Sequence, residues 1–270
     1  MTYPAFKTGA VAALFALNTA AALAQQAPDG VLTAEILPGW AEADGTRMVA
    51  VKIALANGWK TYWRTPGDAG IPPQFDFSAS DNVASVEVHW PRPEVFESAG
   101  VRAIGYHHEM ILPLKITPKE AGDEVYFVTA IDMGICKEIC VPVEVNVSAE
   151  LDGNGAADPV ISAALRATPT PRNGIAHCVA EPIADGMRVT ARITFDPSES
   201  ATEAGEIALF ELTNKPVWIS ESVSHREGSD LISTAEFVPD AGKPFEIDLK
   251  SVRLTVLSGG EAFEVMGCDG

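Results

Sequence analysis

The sequence predicts an all-β protein with two β-sandwich domains in tandem. Short runs in which apolar and polar residues alternate recur along the chain, and Gly, Pro and Asp separate these runs. Helical periodicity is almost absent. Strict alternation is typical of strands with one buried face, and closely spaced strands of this kind are typical of sandwiches. A length of 270 residues suits one large domain or two of ordinary size.

Five alternating runs occupy the first half of the chain. The clearest is 141–147, in which four valines take alternate positions and Pro142, Glu144 and Asn146 point the other way. Because Pro142 has no N–H for a ladder, this strand is expected to begin at an edge or a bulge. The other four strands are predicted at 48–57, 83–90, 110–116 and 125–132.

The alternation stops after Ala149. Residues 151–155 are predicted to form a loop, 158–167 one short helix, and the Pro-containing stretch 168–174 a stiff linker. We therefore expect one domain over 25–150, a linking segment over 151–174, and a second domain over 175–270. Strands of the second domain are predicted at 187–195, 206–212, 231–238, 252–257 and 262–266.

The N-terminus has the features of a secretory signal peptide. A single Lys precedes an apolar run over 11–22, and the small residues Ala22 and Ala24 flank Leu23. Cleavage is expected after Ala24, so residues 1–24 would be removed and the protein exported to the periplasm. The run is shorter than the roughly 20 residues that a spanning helix needs, and no later stretch approaches that length. The mature protein is expected to be soluble, without membrane insertion.

Charge and motifs exclude several classes of function. The formal net charge is −18, and no cluster of Lys and Arg suits phosphate contacts, which argues against nucleic-acid binding. No Ser-His-Asp set, phosphate-binding loop or carboxylate pair stands out. The sequence predicts no cofactor and no resident metal.

Four cysteines in an exported chain point to disulfide chemistry. Three pairings are open, but position separates a close pair, Cys136 and Cys140, from a distant pair, Cys178 and Cys268. Closing the 90-residue loop between the distant pair is worth about 4.6 kcal/mol, whereas the five-residue loop is worth about 2 kcal/mol. The distant pair is therefore expected to be a structural disulfide, and the close pair has little structural purpose.

The close pair needs a curled backbone. Residues four apart in an extended strand are about 13 Å apart, whereas a disulfide needs Cα atoms within about 7 Å. The segment 136–140 is therefore expected to curl between a strand ending near Asp132 and another starting at Val141. Loop-borne, strained disulfides are the easily reduced kind.

Two other interpretations of the close pair remain open. It could be an inert hairpin disulfide. It could also bind a soft ion such as Cu(I) together with His107, His108, Met110 or Met133, although adjacent histidines on a strand point to opposite faces.

Four stretches of the first domain form a distinctive set of motifs. They are Gly58-Trp59-Lys60-Thr61-Tyr62-Trp63-Arg64 with 66–73; Trp90-Pro91-Arg92-Pro93-Glu94-Val95-Phe96; Gly105-Tyr106 running to Leu112-Pro113-Leu114; and Cys136-Lys137-Glu138-Ile139-Cys140-Val141-Pro142. Together they resemble the N-terminal periplasmic domain of the DsbD transmembrane reductases, and more closely their ScsB-type relatives.

The resemblance implies an immunoglobulin-like sandwich that exchanges disulfides. Cys140 would be joined to partner proteins and Cys136 would resolve the mixed disulfide. Phe96 resembles the aromatic residue of a cap loop, and Tyr62 falls near an aromatic position that lines the site. The partners would be thioredoxin-like periplasmic proteins and a separate membrane thiol reductase, with the chain itself a monomer.

A rival hypothesis comes from a different functional class. In it, the chain is a non-catalytic periplasmic module that binds or senses copper, or docks on a membrane redox complex.

Overall fold

The computed structural model describes residues 27–68, 70–98, 100–195 and 206–269, and the predicted signal peptide lies outside them. These residues form nineteen strands, one α-helix and one short 3₁₀ helix at Leu249–Ser251. None of the described helices is long and apolar enough to cross a membrane.

The first ten strands form two sheets. Sheet 1 has the order β1-β2-β8-β5, and sheet 2 has the order β10-β9-β3-β7-β6 with β4 also paired to β9. The strands are β1 (Leu32–Ala41), β2 (Arg47–Leu55), β3 (Lys60–Tyr62), β4 (Gln74–Asp76), β5 (Val83–Val88), β6 (Glu94–Ser98), β7 (Val101–His107), β8 (Glu109–Pro118), β9 (Val125–Cys136) and β10 (Cys140–Leu151).

One apolar core lies between these two sheets. Alternate residues of β2, such as Val51 and Ile53, are fully buried and belong to the same cluster as Phe127 and Ile131 of β9. Because side chains alternate across a strand, the intervening residues of β9 and β10 point to the outer face of sheet 2. The outer face is where both cysteines of the close pair lie.

The α-helix of the described residues, α1 (Pro159–Arg166), covers the outer face of sheet 1, over the central strands β2 and β8. Asp158 caps it, since its side chain accepts hydrogen bonds from the N–H groups of Val160 and Ile161. Ile161 is fully buried in a small cluster with Met48 and Ala50 of β2. The helix occupies the segment for which the sequence predicts one.

The remaining nine strands form sheets 3 and 4. Sheet 3 has the order β11-β19-β18-β14, and sheet 4 has the order β12-β13-β17-β15 with β16 also paired to β17. The strands are β11 (Thr170–Pro171), β12 (Ala176–Pro182), β13 (Met187–Thr194), β14 (Ile207–Leu212), β15 (Trp218–Ile219), β16 (Val223–Glu227), β17 (Asp230–Val238), β18 (Val252–Ser258) and β19 (Glu261–Met266). The predicted linker is thus partly structured, because β11 pairs in parallel with β19.

A disulfide between Cys178 and Cys268 joins the two sheets of the second sandwich. Cys178 lies on β12 and Cys268 follows β19, with 5.4 Å between their Cα atoms. Both are buried in the second core, at 1% and 5% exposure. The N–H of Cys178 also donates to the carbonyl of Asp269 at 3.0 Å, so the C-terminal segment is held on β12.

Strand β14 of sheet 3 has apolar residues on both of its faces. Ala208 and Phe210 of β14 belong to the core of the second sandwich, whereas Ile207 and Leu209 belong to the core cluster of the first. Sheet 3 of the second sandwich therefore packs against the first sandwich, so the two are joined by an apolar contact as well as by the connecting segment.

The all-β class and the two sandwiches agree with the sequence prediction. Strands β2, β5, β8, β9 and β10 of the first sandwich and β13, β14, β17, β18 and β19 of the second were predicted, but β1, β3, β4, β6, β7, β11, β12, β15 and β16 were not. Strands β3, β4, β11 and β15 have only two or three residues, too few for a periodic signal to emerge.

We expect replacement of both Cys178 and Cys268 by Ala to lower the free energy of unfolding by about 2–5 kcal/mol, because the reduced chain regains the freedom of a long loop. Urea denaturation followed by circular dichroism measures the loss. An unchanged midpoint would contradict a stabilising role for this disulfide.

Candidate functional site: a disulfide at the end of a hairpin

The close cysteines form a disulfide across the last residue pair of the β9–β10 ladder. Cys136 pairs directly with Cys140, and their Cα atoms are 4.1 Å apart. Only Lys137, Glu138 and Ile139 separate them, and all three are exposed. The expected strand end near Asp132 was wrong: β9 runs on to Cys136, because its last residues also pair with β3.

The two cysteines differ sharply in exposure. Cys136 is 1% exposed, whereas Cys140 is exposed to solvent. Ile139 beside it is 72% exposed. A molecule approaching this end of sheet 2 therefore meets Cys140 before Cys136.

Tyr62 supplies a hydroxyl to both sulfurs. Lys60 of β3 pairs with Cys136 of β9, and paired residues share a face, so Tyr62 two residues later lies on the cysteine face. The Tyr62 hydroxyl donates to Cys136 Sγ at 2.9 Å and lies 3.3 Å from Cys140 Sγ. The tyrosine is fully buried, so this hydroxyl belongs to the interior side of the disulfide.

The surroundings of Tyr62 leave little room. A Cβ at Gly105, which pairs with Tyr62 across β3 and β7, would lie 2.0 Å from the Thr61 carbonyl oxygen. A Cβ at Gly70 would lie 2.7 Å from the Tyr62 ring and 2.2 Å from Pro66. The loop after β3 therefore packs closely on the ring and fixes its position.

Burial also keeps the Tyr62 phenol protonated. Desolvation raises the pKa of Tyr62 above its ordinary value, and a hydrogen bond with Ser98 opposes the shift only in part. The phenol thus remains a hydrogen-bond donor at neutral pH. A donor within reach of two sulfurs can stabilise negative charge that develops on either.

Phe96 lies on the same face, two strands away. It pairs with Ala103 in β6 and β7, and it packs against the cluster of Tyr62, Ala103 and Cys136. The resemblance implied a cap loop, but Phe96 is part of strand β6 and is half-buried. The His107 ring meets it edge-on at 4.5 Å, and Lys60 Nζ lies 5.2 Å from its centroid.

Lys60 was not singled out from the sequence, and His107 was considered only as a possible copper ligand. Lys60 and His107 form a register pair on the cysteine face, and His107 Nδ1 lies 2.8 Å from a Glu94 carboxylate oxygen. The sequence did contain a signal for Lys60: it stands two residues before Tyr62, and alternation along a strand places both side chains on one face.

His107 shares the cysteine face, but the other residues considered for a copper site lie elsewhere. Met110 and Met133 are buried in the first core, and Met133 lies three residues before Cys136 on the opposite face of β9. His108 occupies the turn between β7 and β8 with a positive φ of 63°. Among the described residues, no group of three or more His, Cys, Asp and Glu side chains is placed to hold a metal ion.

The fold and the site define a class: a β-sandwich protein with a disulfide between one buried and one exposed cysteine. A profile of the family described as "Thiol:disulfide interchange protein DsbD, N-terminal" matches residues 20–151. This segment, slightly less than half of the chain, is similar to that family. It contains Tyr62, Phe96 and both cysteines of the site.

One solved structure extends the similarity in fold. The chain is similar to the N-terminal periplasmic domain of ScsB from Proteus mirabilis, with a TM-score of 0.65 and 20% identity over 88% of this chain and 92% of that one. A second match is the DsbD N-terminal domain of Neisseria meningitidis in its reduced form, with a TM-score of 0.24 and 21% identity over 40% of this chain and 78% of that one. No curated protein matches the chain. The ScsB domain shares the fold across both sandwiches.

We expect Tyr62→Phe to raise the pKa of the reduced Cys136 thiol by about 1 unit or more, because a hydrogen bond to a charged group is worth about 1.5–3 kcal/mol. Thiolate absorbance titration of the reduced protein measures this value. Tyr126→Phe, which removes the hydroxyl of a half-exposed tyrosine on β9, is the control and should leave the pKa unchanged. Equal pKa values in both variants would contradict the role given to Tyr62.

Proposed function

We propose that the protein is a periplasmic thiol–disulfide exchange protein that relays electrons between a separate membrane thiol reductase and thioredoxin-like proteins. The observation that carries this proposal is the asymmetry of the disulfide: Cys140 is exposed, and Cys136 is buried against the Tyr62 hydroxyl. A purely stabilising disulfide needs neither feature. The family of residues 20–151 supports the same chemistry.

Reduction of the disulfide begins at Cys140. A thiolate of the reductant attacks Cys140 Sγ, the Cys136–Cys140 bond breaks, and its electron pair leaves on Cys136 Sγ. The Tyr62 hydroxyl at 2.9 Å donates to this leaving sulfur. The second thiolate of the reductant then attacks the reductant's own sulfur in the mixed disulfide and expels Cys140 as a thiolate, which leaves both cysteines reduced and the reductant oxidised to a disulfide.

Delivery to the partner reverses these steps. The Cys140 thiolate attacks a partner disulfide, forms a mixed disulfide and releases one partner thiolate. Cys136 then attacks Cys140 Sγ, which restores the internal disulfide and releases the second partner thiolate. Two electrons pass to the partner, and its two thiolates take up protons according to their pKa values. Cys140 is thus the partner-facing residue and Cys136 the resolving residue.

Phe96 and Tyr62 have supporting roles in this proposal. Tyr62 lines the site and donates to the sulfurs, while Phe96 caps the buried side of the pair beside Cys136. Both limit the access of small oxidants and thiols to Cys136. A partner reaches Cys140 without displacing either ring.

The remaining parts of the proposal concern location and organisation. The signal-peptide features of residues 1–24 support export, and the similar ScsB domain is described as periplasmic. We assign the exchange site to a domain over 25–150 and a structural disulfide, Cys178–Cys268, to a second domain over 175–270.

The cysteine roles are tested by trapping. We expect Cys136→Ala to accumulate a mixed disulfide between Cys140 and a thioredoxin-like protein, because no thiol remains to resolve it. Cys140→Ala should accumulate none, since Cys136 is buried. Non-reducing electrophoresis and peptide mass spectrometry identify the bonded residues.

The chain offers a matched control for trapping. The variant with Cys178 and Cys268 both replaced by Ala should form and resolve mixed disulfides as the unmodified protein does. Partner binding that is equal in Cys136→Ala and Cys140→Ala, with no covalent adduct in either, would instead indicate a docking module.

The two disulfides should also separate in a glutathione redox series. We expect Cys136–Cys140 to equilibrate at a potential above about −300 mV, whereas Cys178–Cys268 should stay oxidised in the range typical of structural disulfides. Alkylation of free thiols followed by mass spectrometry reports each pair. A Cys136–Cys140 pair that resists reduction as strongly as the buried pair would overturn the exchange function.

A further inference from the structure

The strand that carries Tyr62 continues directly into a contact with the second sandwich. Arg64 follows β3 by two residues, and its guanidinium stacks on Trp63 at 4.2 Å. Arg64 Nε and Nη2 donate to the Glu211 carboxylate at 2.9–3.1 Å, and Nη2 also donates to Glu264 at 2.6 Å and to the Thr255 hydroxyl at 3.2 Å. Glu211, Thr255 and Glu264 lie on β14, β18 and β19.

This network is enclosed by protein. The side chains of Arg64 and Glu211 are each 15% exposed, and that of Glu264 is 27% exposed. Burial disfavours the charge of Arg64, but hydrogen bonds and charges of Glu211 and Glu264 outweigh it and raise the pKa of Arg64. A planar guanidinium held by two carboxylates has one orientation, so the backbone at residue 64 is fixed relative to sheet 3.

A second contact holds the loop that covers Tyr62. Trp218 Nε1 donates to Asp68 at 3.1 Å, in the same loop as Pro66 and Gly70, which pack on the Tyr62 ring. On the neighbouring strand β7, the N–H of Arg102 donates to Glu221 at 3.0 Å. Arg102 precedes Ala103, which packs against Tyr62 and Cys136.

These contacts share one geometric property. Each joins the second sandwich to a segment that touches Tyr62: the end of β3, the loop after it, or β7. The outer face of sheet 3 adds Ile207 and Leu209 to the first core, so the polar contacts are backed by apolar packing.

We infer that the second sandwich positions the Tyr62 hydroxyl against Cys136, with Arg64 and its carboxylates Glu211 and Glu264 as positioning residues. The inference rests on the proposed function, because it gives sheet 3 a part in disulfide exchange. The second half of the chain is then a component of the exchange site, acting through β3.

Glu264→Gln and Arg64→Lys test the inference in the full-length protein. Both weaken the network, the first by removing one charge and the second by removing the fork that binds Glu211 at two nitrogens. We expect reduction of Cys136–Cys140 by glutathione to slow about five-fold in either variant. Quenched alkylation and mass spectrometry measure the rate.

Measuring the same substitutions with and without the Tyr62 hydroxyl distinguishes an effect on its position from a general loss of stability. In a Tyr62→Phe background, the same substitutions should change the rate less than about two-fold, because no hydroxyl remains to be positioned. Glu236→Gln is the matched control: its partner Arg188 lies on the exposed surface of sheet 4, and the rate should not change in either background.

The two sets of rates, with and without the Tyr62 hydroxyl, distinguish the outcomes. Slowing that depends on the Tyr62 hydroxyl supports it; unchanged rates, or equal slowing with and without the hydroxyl, overturn it. If Arg64→Lys fails to fold by circular dichroism, Glu264→Gln alone carries the test. The proposed relay would fail separately, if no mixed disulfide with a partner could be trapped. The rate of reduction by glutathione would still be measurable in that case, so the coupling between Arg64 and Tyr62 could still be tested.

Discussion

The antiparallel register of β9 and β10 is the constraint on which the rest of the site depends. The ladder runs without a break from the Val125–Leu151 pair to the Cys136–Cys140 pair. Because side chains alternate along a strand, a one-residue slip of β10 along β9 would move Cys140 to the core face and the core valines of β10 to the outer face. Burial of residues such as Phe127 and Val143 therefore fixes where the disulfide lies, and β3 can then bring Tyr62 to it through its own pairing with Cys136.

Sheet 3 contributes to two apolar cores, one on each of its faces. A strand buried on both sides cannot show simple alternation, and β14, with the sequence Ile-Ala-Leu-Phe-Glu-Leu, is nearly continuously apolar. Polar residues interrupt the outer face, and three of them, Glu211, Thr255 and Glu264, bind Arg64. Apolar contact joins the sandwiches, and the ion pair sets their alignment at this point.

Much of this architecture follows from the sequence, for physical reasons that are specific to each element. The valines of β10 alternate so regularly that the strand and its faces are evident, and Asp158 before Pro159 marks the start of α1. The three residues of β3 carry no period, so only the resemblance pointed to Tyr62. Pairing with Lys60 and His107 depends on strands distant in the chain, which no local pattern specifies. The contact of Arg64 with Glu211 spans 147 residues and was invisible for the same reason.

The exposure of the three residues at the tip of the β9–β10 hairpin bears on which sequence changes the protein can accept. Lys137, Glu138 and Ile139 are all exposed, yet they sit between two cysteines whose spacing is set by the ladder below them. Their side chains contribute nothing to either core, so charge and shape at the tip can vary without loss of the fold or of the disulfide. In the proposed exchange, recognition and chemistry would therefore be separately adjustable: the tip could acquire a new specificity while the sulfur geometry beneath it stays the same.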